Sequence, residues 1–407
     1  MTTQRAESIG TFRNRSAASA AEPYPAAAAA ILNGDGFSAA ENEIRSWPGY
    51  APTPLRRLPG LAHRLGIAAL HYKDEGGRFG LRSFKALGGA YAVFRLLAKA
   101  IMQMNGGQPV TARALVAGEH KDIVANITVT CATDGNHGRS VAWGAQLFGC
   151  RCVVFVHEHV SAARRAAIAH YGAEVIEVRG NYDDSVRHAA REAAAKGWTV
   201  VSDTSYDGYR EIPVDVMHGY GVMAREIIGQ MAGPLPTHVV VQAGVGGLAA
   251  AICAAFWIGW GERRPQLVIV EPTRADCCFR SAQAGVPVAV SGALDTVMAG
   301  LACGEVSPLA WEILGRGANA FAVVGDRYAL DAMRALARPA AGDPALVAGE
   351  TGVCGLALLL GLHEQPEHRA ALALTAASRV LLIGSEGDTD PALYRQIIAA
   401  TPIAPAP

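Results

Sequence analysis

Short apolar runs alternate with amphipathic stretches from about residue 128 onward. "ITVTC", "RCVVFV", "AEVIEV" and "TVVSD" read as strands. Between them His137 to Phe148, "SAARRAAIAHYG" and "DDSVRHAAREAAAKG" read as helices, and a further helix is expected from about Tyr209 to Met231. Such alternation makes βαβ units and a parallel sheet. The Pro-rich break "GPLPTH" at 233–238 ends this series. A second one follows through "VVVQ", "LVIVE", "AFAVV" and "VLLIG", again with helices between. Upstream, "APTPLRRLPGLAHRLG" reads as an extended segment followed by a helix, and "ALHYKDE" as a strand. A helical pattern then starts near Ser83 and runs past Tyr91, Phe94 and Leu97, while "NGGQPVTARALVAGEHKD" reads as an inserted loop with some helix. Residues 1 to about 50 are Ala-rich and Pro-punctuated, with no period to assign. The pattern predicts an α/β chain of two lobes.

Composition narrows the class. A chain of 407 residues suits two domains, and 51% hydrophobic with only 18% charged residues is a globular, not a disordered, balance. Formal net charge is zero, so nothing calls for nucleic acid or an anionic membrane surface. Ala243 to Gly261 carries no charge and is long enough to span a bilayer. Glycines at 244, 246, 247, 259 and 261 and the preceding "HVVVQ" instead predict a buried strand, turn and helix. No secretory signal is evident. Arg5, Arg13 and Arg15 before the alanine run leave a transit peptide as the lesser alternative, and the expected setting is the cytoplasm. The eight cysteines form no repeated CxxC pair, which argues against a zinc ribbon and for small core residues. Spacing alone leaves open whether Cys277 or Cys278 pairs with Cys303.

"THVVVQAGVGGLAAAICAAF" predicts a strand, a glycine-rich turn and a helix. Amides at a helix N-terminus suit an anion, above all phosphate, and glycine permits close approach. Two phosphate readings stand. Gly244-x-Gly246-x-x-Ala249 with Glu271 beyond fits a dinucleotide fingerprint; the alternative is a cup for one monophosphate. A purely structural turn is the third reading.

In "GLRSFKALGG", Lys85 follows Phe84 and precedes the pair Gly88 and Gly89. Paired glycines inside a helix cost on the order of 1 kcal/mol each, so something must pack close to that backbone. "TDGNHGRS" closes a strand and opens a helix. Asp134, Gly135 and Asn136 there put polar groups at a strand's C-terminal edge, where ligands bind in open α/β sheets, or simply cap the helix. His137 is expected to pack at the helix start, and His157-x-His159 to end a strand. An amine, a polar loop and a monophosphate cup together are what pyridoxal phosphate needs.

These stretches resemble the fold type II pyridoxal-phosphate enzymes, the serine/threonine dehydratase and tryptophan synthase β group. "RFGLRSFKALGGAYA", "TDGNHGRSVAW", "NYDDSVR", "THVVVQAGVGGLA", "VEPTRADC", "TVMAGLACGE", "GETGVCGL" and "SEGDTD" are similar, in order, to the diaminopropionate ammonia-lyase family. The resemblance implies a two-domain fold. Residues 1–87 and 233–407 would form a large cofactor-binding domain, with 1–50 an unassigned extension, and 88–232 a small α/β domain carrying the asparagine loop. It implies that Lys85 holds the cofactor aldehyde beside Phe84 and that Asn136 meets the ring hydroxyl. Gly244, Val245, Gly246, Gly247 and Leu248 would cradle the phosphate. Ser385 would face the pyridine nitrogen, with Asp388 close by in sequence. Lys85, Asp134 and Asp203 would be catalytic, Asp134 toward the D-isomer. The implied reaction is elimination of ammonia from 2,3-diaminopropionate by a homodimer, without metal. A related lyase acting on serine, threonine or another β-substituted amino acid is the first alternative, and a nicotinamide-dependent oxidoreductase a remote one.

Overall fold

The computed structural model describes residues 8–133, 135–180 and 182–400. Its strands are β1 (Ile9–Arg13), β2 (Leu55–Arg57), β3 (Ala69–Asp74), β4 (Thr128–Ala132), β5 (Arg151–His157), β6 (Glu174–Val178), β7 (Thr199–Val200), β8 (His238–Gln242), β9 (Gln266–Pro272), β10 (Ala320–Val324) and β11 (Arg379–Gly384). They form a seven-stranded sheet of order β1-β10-β9-β8-β11-β3-β2 and a four-stranded sheet of order β6-β5-β4-β7. Strands β10, β9, β8, β11 and β3 run parallel, and β1 and β2 close the two borders antiparallel. The smaller sheet is parallel throughout.

Both sheets arise as the sequence pattern demands. β8 and β10 are buried at every residue, as strands covered on both faces must be. The uncharged run after β8 is a turn followed by the helix Gly247–Trp260, buried over most of its length because it lies inside the larger unit. Among the described residues, no helix is long and apolar enough to cross a membrane. The insertion before β4 holds two short helices, Ala112–Val116 and Lys121–Val124. Within the first fifty residues, the structure adds β1 and the helix Gly34–Ile44, which Asn33 caps by accepting from the Gly36 N–H.

Three helices converge where the two sheets meet: Lys85–Met104, Asn136–Phe148 and Glu211–Gln230. Their close approach explains the glycines. A methyl group on Gly88 would lie 2.3 Å from Cε1 of Tyr220, and one on Gly89 2.3 Å from Oγ of Ser140. On the facing helix, a methyl on Gly219 would lie 2.0 Å from the Leu87 carbonyl oxygen. The Gly88–Gly89 pair thus lets a tyrosine and a serine press onto the helix that Lys85 opens.

Candidate active site

Lys85 begins its helix, and Ser140 Oγ donates to its carbonyl oxygen at 2.6 Å. The Lys85 ammonium pairs with Asp203 Oδ2, in the loop after β7. It also lies over the rings of Phe84 and Tyr220, 5.4 and 5.6 Å from their centroids. Burial alone would depress the ammonium, but the Asp203 carboxylate outweighs it and holds Lys85 above the ordinary lysine range. In return, burial would raise Asp203, and Lys85 instead holds it well below the usual carboxylate range.

His137 completes this group. Its Nε2 donates to the Val201 carbonyl at 2.8 Å, so Nδ1 is the nitrogen without a proton. Nδ1 is buried, has no hydrogen-bond partner, and lies 3.7 Å from Asp203 Oδ2. Burial keeps the ring below its usual histidine range, so it stays neutral. The expectation of a packing role understated this residue. It does sit at a helix start, but its free nitrogen faces the acid beside Lys85. Asp134 lies outside the described residues.

The glycine turn faces the same region. Gly246 takes a left-handed φ of 92°, and a methyl there would lie 3.1 Å from Ala310 Cβ and 3.2 Å from Leu314. Behind the turn, the Val245 carbonyl accepts from Ser307 N–H at 2.9 Å. The N–H groups of Val245, Gly246, Gly247 and Leu248 find no acceptor among the described residues. A methyl on Gly247 would lie 3.6 Å from the Asp203 carbonyl oxygen, which places the turn beside the Lys85 group. Free amides at a helix head, in a cradle that side chains would fill, fit a phosphate ester. The dinucleotide reading loses its acid. Glu271 is fully buried and accepts the N–H groups of Cys278 and Phe279 at 2.8 and 2.7 Å, capping the helix Cys277–Ala284. Cys277, Cys278 and Cys303 form no disulfide.

The C-terminal motif supplies the third wall. Ser385 is buried, its carbonyl accepts from Phe84 N–H at 3.0 Å, and its Oγ accepts from Gln242 Nε2 at 2.7 Å. With that lone pair engaged, its O–H is left to donate. Asn136 Nδ2 donates to Glu386 Oε2 at 2.5 Å. Asp388 is engaged elsewhere, its carboxylate 2.8 Å from the Arg82 guanidinium. Arg164 leans over Gly135 and pairs with Glu350 at 3.0 Å. Burial, with the Glu386 carboxylate nearby, pushes Glu350 up to about 7.

The structure therefore gathers Lys85, Phe84, Asp203, Asn136, the glycine turn and Ser385, and sets Asp388 apart against Arg82. Tyr220, Gln242, Glu350 and Glu386 escaped the sequence reading. The last two lay in plain view as acids in the glycine-rich blocks "GETG" and "GSEGD".

Comparison with known proteins agrees with this geometry. A family model described as "Pyridoxal-phosphate dependent enzyme" matches residues 46–385. The diaminopropionate ammonia-lyase of Salmonella typhimurium is 40% identical over 382 residues, 91% of this chain and 94% of that protein. The crystal structure of the selenomethionine-containing holo diaminopropionate ammonia-lyase from Escherichia coli superposes with a TM-score of 0.86 and 36% identity, over 97% of each chain. The same enzyme's complex with D-serine matches with TM-score 0.86, 36% identity and 97% coverage of both chains. An amine and its carboxylate partner beside a glycine turn with free amides, on this fold, define a pyridoxal-phosphate dependent enzyme of fold type II. The chain belongs to that family and, within it, to the diaminopropionate ammonia-lyase family.

Proposed function

We propose that this chain eliminates ammonia from 2,3-diaminopropionate, consuming one water and releasing pyruvate and two ammonia, on the L-isomer and the D-isomer. The observation that carries the reading is the Lys85–Asp203 pair set beside amides with no protein acceptor. Pyridoxal phosphate, when bound, supplies the electron sink for the carbanion formed at the substrate Cα.

The chain's own residues do the rest. Val245 to Leu248, with Gly244, would hold the phosphate through backbone N–H groups. Lys85 Nζ would hold the cofactor at its aldehyde carbon and would take the Cα proton on its own face. For either task Nζ must first lose a proton. Asp203 Oδ2 is its direct partner, and His137 Nδ1, neutral and 3.7 Å from that oxygen, is the next acceptor. Asp134 would serve the opposite face and hence the D-isomer. Asn136 Nδ2 would donate to the ring oxygen. Ser385 O–H, left to donate by Gln242, would meet a pyridine nitrogen without a proton. The proposed working form is a cytoplasmic homodimer, as the family resemblance implies.

The test is a panel of L- and D-diaminopropionate, serine and threonine assayed for pyruvate or another 2-oxo acid. Both diaminopropionate isomers should be the best substrates, and Asp134→Asn should lose the D-isomer selectively. Faster turnover of serine or threonine would support the related-dehydratase reading instead.

A further inference from the structure

We propose that Glu386 is a positioning residue that turns the Asn136 amide so that an N–H, not the carbonyl oxygen, faces the cofactor ring; this rests on the reading of Asn136 given above.

An asparagine side chain can be reversed end for end with little change of shape, so its neighbours decide which end points where. Asn136 has two such neighbours. Glu386 Oε2 accepts from Nδ2 at 2.5 Å, and Arg139 Nη2 donates to Oδ1 at 3.4 Å. Reversal would set a carbonyl oxygen against a carboxylate and an NH2 group against a guanidinium. Both contacts oppose it. One Nδ2 hydrogen is then spent on Glu386 and the other is left over. The ring oxygen of the cofactor, when ionised, only accepts, so that second hydrogen is what it requires.

Glu386 is itself held in place. It is 4% exposed, and its other oxygen, Oε1, accepts from Thr351 N–H at 3.0 Å. Its backbone bridges to Ser83, two residues before Lys85. The glycines of "GETG" make room for it. A methyl on Gly349 would lie 2.8 Å from Oε1, and one on Gly352 2.7 Å from the Glu386 carbonyl oxygen. The chain thus surrounds one carboxylate with glycine and fixes both of its oxygens, one on a backbone amide and one on Asn136.

Glu386→Gln keeps the shape but can present either an oxygen or an NH2 group, so it releases the amide to turn. In the holoenzyme, the visible absorption band of the bound cofactor should shift. Its dissociation constant, read by fluorescence titration of the apoprotein, should rise about tenfold, the worth of one hydrogen bond. In an Asn136→Ala background, the same substitution should add nothing further. An unmoved band with unchanged affinity overturns the proposal. So does an effect of Glu386→Gln that persists undiminished without Asn136, because it would then act on structure. If Glu386→Gln yields no folded protein, Glu386→Asp, which withdraws the carboxylate by one methylene, is read the same way. Lys85→Ala separates the two levels: a visible band that survives it sinks the reading of the site, whereas failure at Glu386 alone sinks only this proposal.

Discussion

Two buried lysines, Lys73 and Lys85, show how the same side chain serves architecture in one place and chemistry in another. Lys73, in β3, has no exposed surface and donates to Thr53 O at 2.8 Å, Glu226 Oε2 at 2.6 Å and Gln230 Oε1 at 3.0 Å. Arg78 binds both Glu75 and Glu226 at 2.7 to 2.8 Å, so two cations meet two carboxylates with their donors spent. Burial pulls Lys73 below the ordinary lysine range. Lys85 has one carboxylate and two ring faces. Beside it, His137 Nδ1 is buried with no hydrogen-bond partner, and the N–H groups of Val245 to Leu248 find no acceptor among the described residues. A saturated network holds helix Glu211–Gln230 to β3. The unsaturated one keeps polar atoms free for a ligand, at a cost of roughly 1–3 kcal/mol for each unmet group.

The sharpest way to break this contrast is to remove each amine. Lys85→Ala should lower pyruvate formation by at least about 10³-fold and abolish the visible absorbance. Lys73→Met should do the reverse, costing about 3–5 kcal/mol in urea unfolding while the folded fraction keeps its turnover number. Similar profiles for the two variants would erase the distinction.

A smaller effect tests the packing behind Lys85. Gly88→Ala forces a methyl onto Tyr220 and should cost about 1–3 kcal/mol, with weaker cofactor binding. Gly77→Ala, next to the saturated network, meets nothing within 4 Å and should be close to neutral in the same unfolding assay.

The smallest effect is one of pH. Glu350 rises from 4.5 to about 7 in the folded protein, so the folded state holds a proton there that the unfolded chain has released. Its contribution to stability is whole below about pH 4.5 and is lost as pH climbs through 7. Glu350→Gln should flatten the fall in thermal midpoint across that window. An unaltered slope would place the titration elsewhere.

Much of this was legible beforehand, for reasons that separate by residue. Strands β8 to β11 are runs of buried apolar residues, and Asp326–Ala337 carries a clear 3.6-residue period while Gly247–Trp260 is apolar nearly all round, so local pattern sufficed. Lys85, Asn136 and the glycine turn were legible because each sits at an element boundary with an unusual composition. β1 was not. "IGTFR" is short, mixed in character, and owes its form to pairing with β10, some three hundred residues away in sequence. Tyr220 and His137 were obscure for a related reason. Each lies on an ordinary amphipathic helix, and only the meeting of three helices turns it toward Lys85. Glu386 was visible as a residue but not as a partner, because nothing local links it to Asn136.

The borders of the two sheets carry a last consequence. Thr11 of β1 lies against His368, 3.3 Å from its Nδ1, so a turn screens that rim. The opposite rim, β2, is three residues long with Arg56 and Arg57 exposed and prolines at 54 and 59 around it. In the smaller sheet, β7 is two residues long, and β6 carries Glu174 and Glu177 paired with Arg151 and Arg165. Each margin is short, charged or screened, the devices by which natural sheets refuse a stranger's strand. Edge-to-edge pairing between copies of this chain is therefore disfavoured, even though alanine, valine and leucine dominate what the sheets enclose.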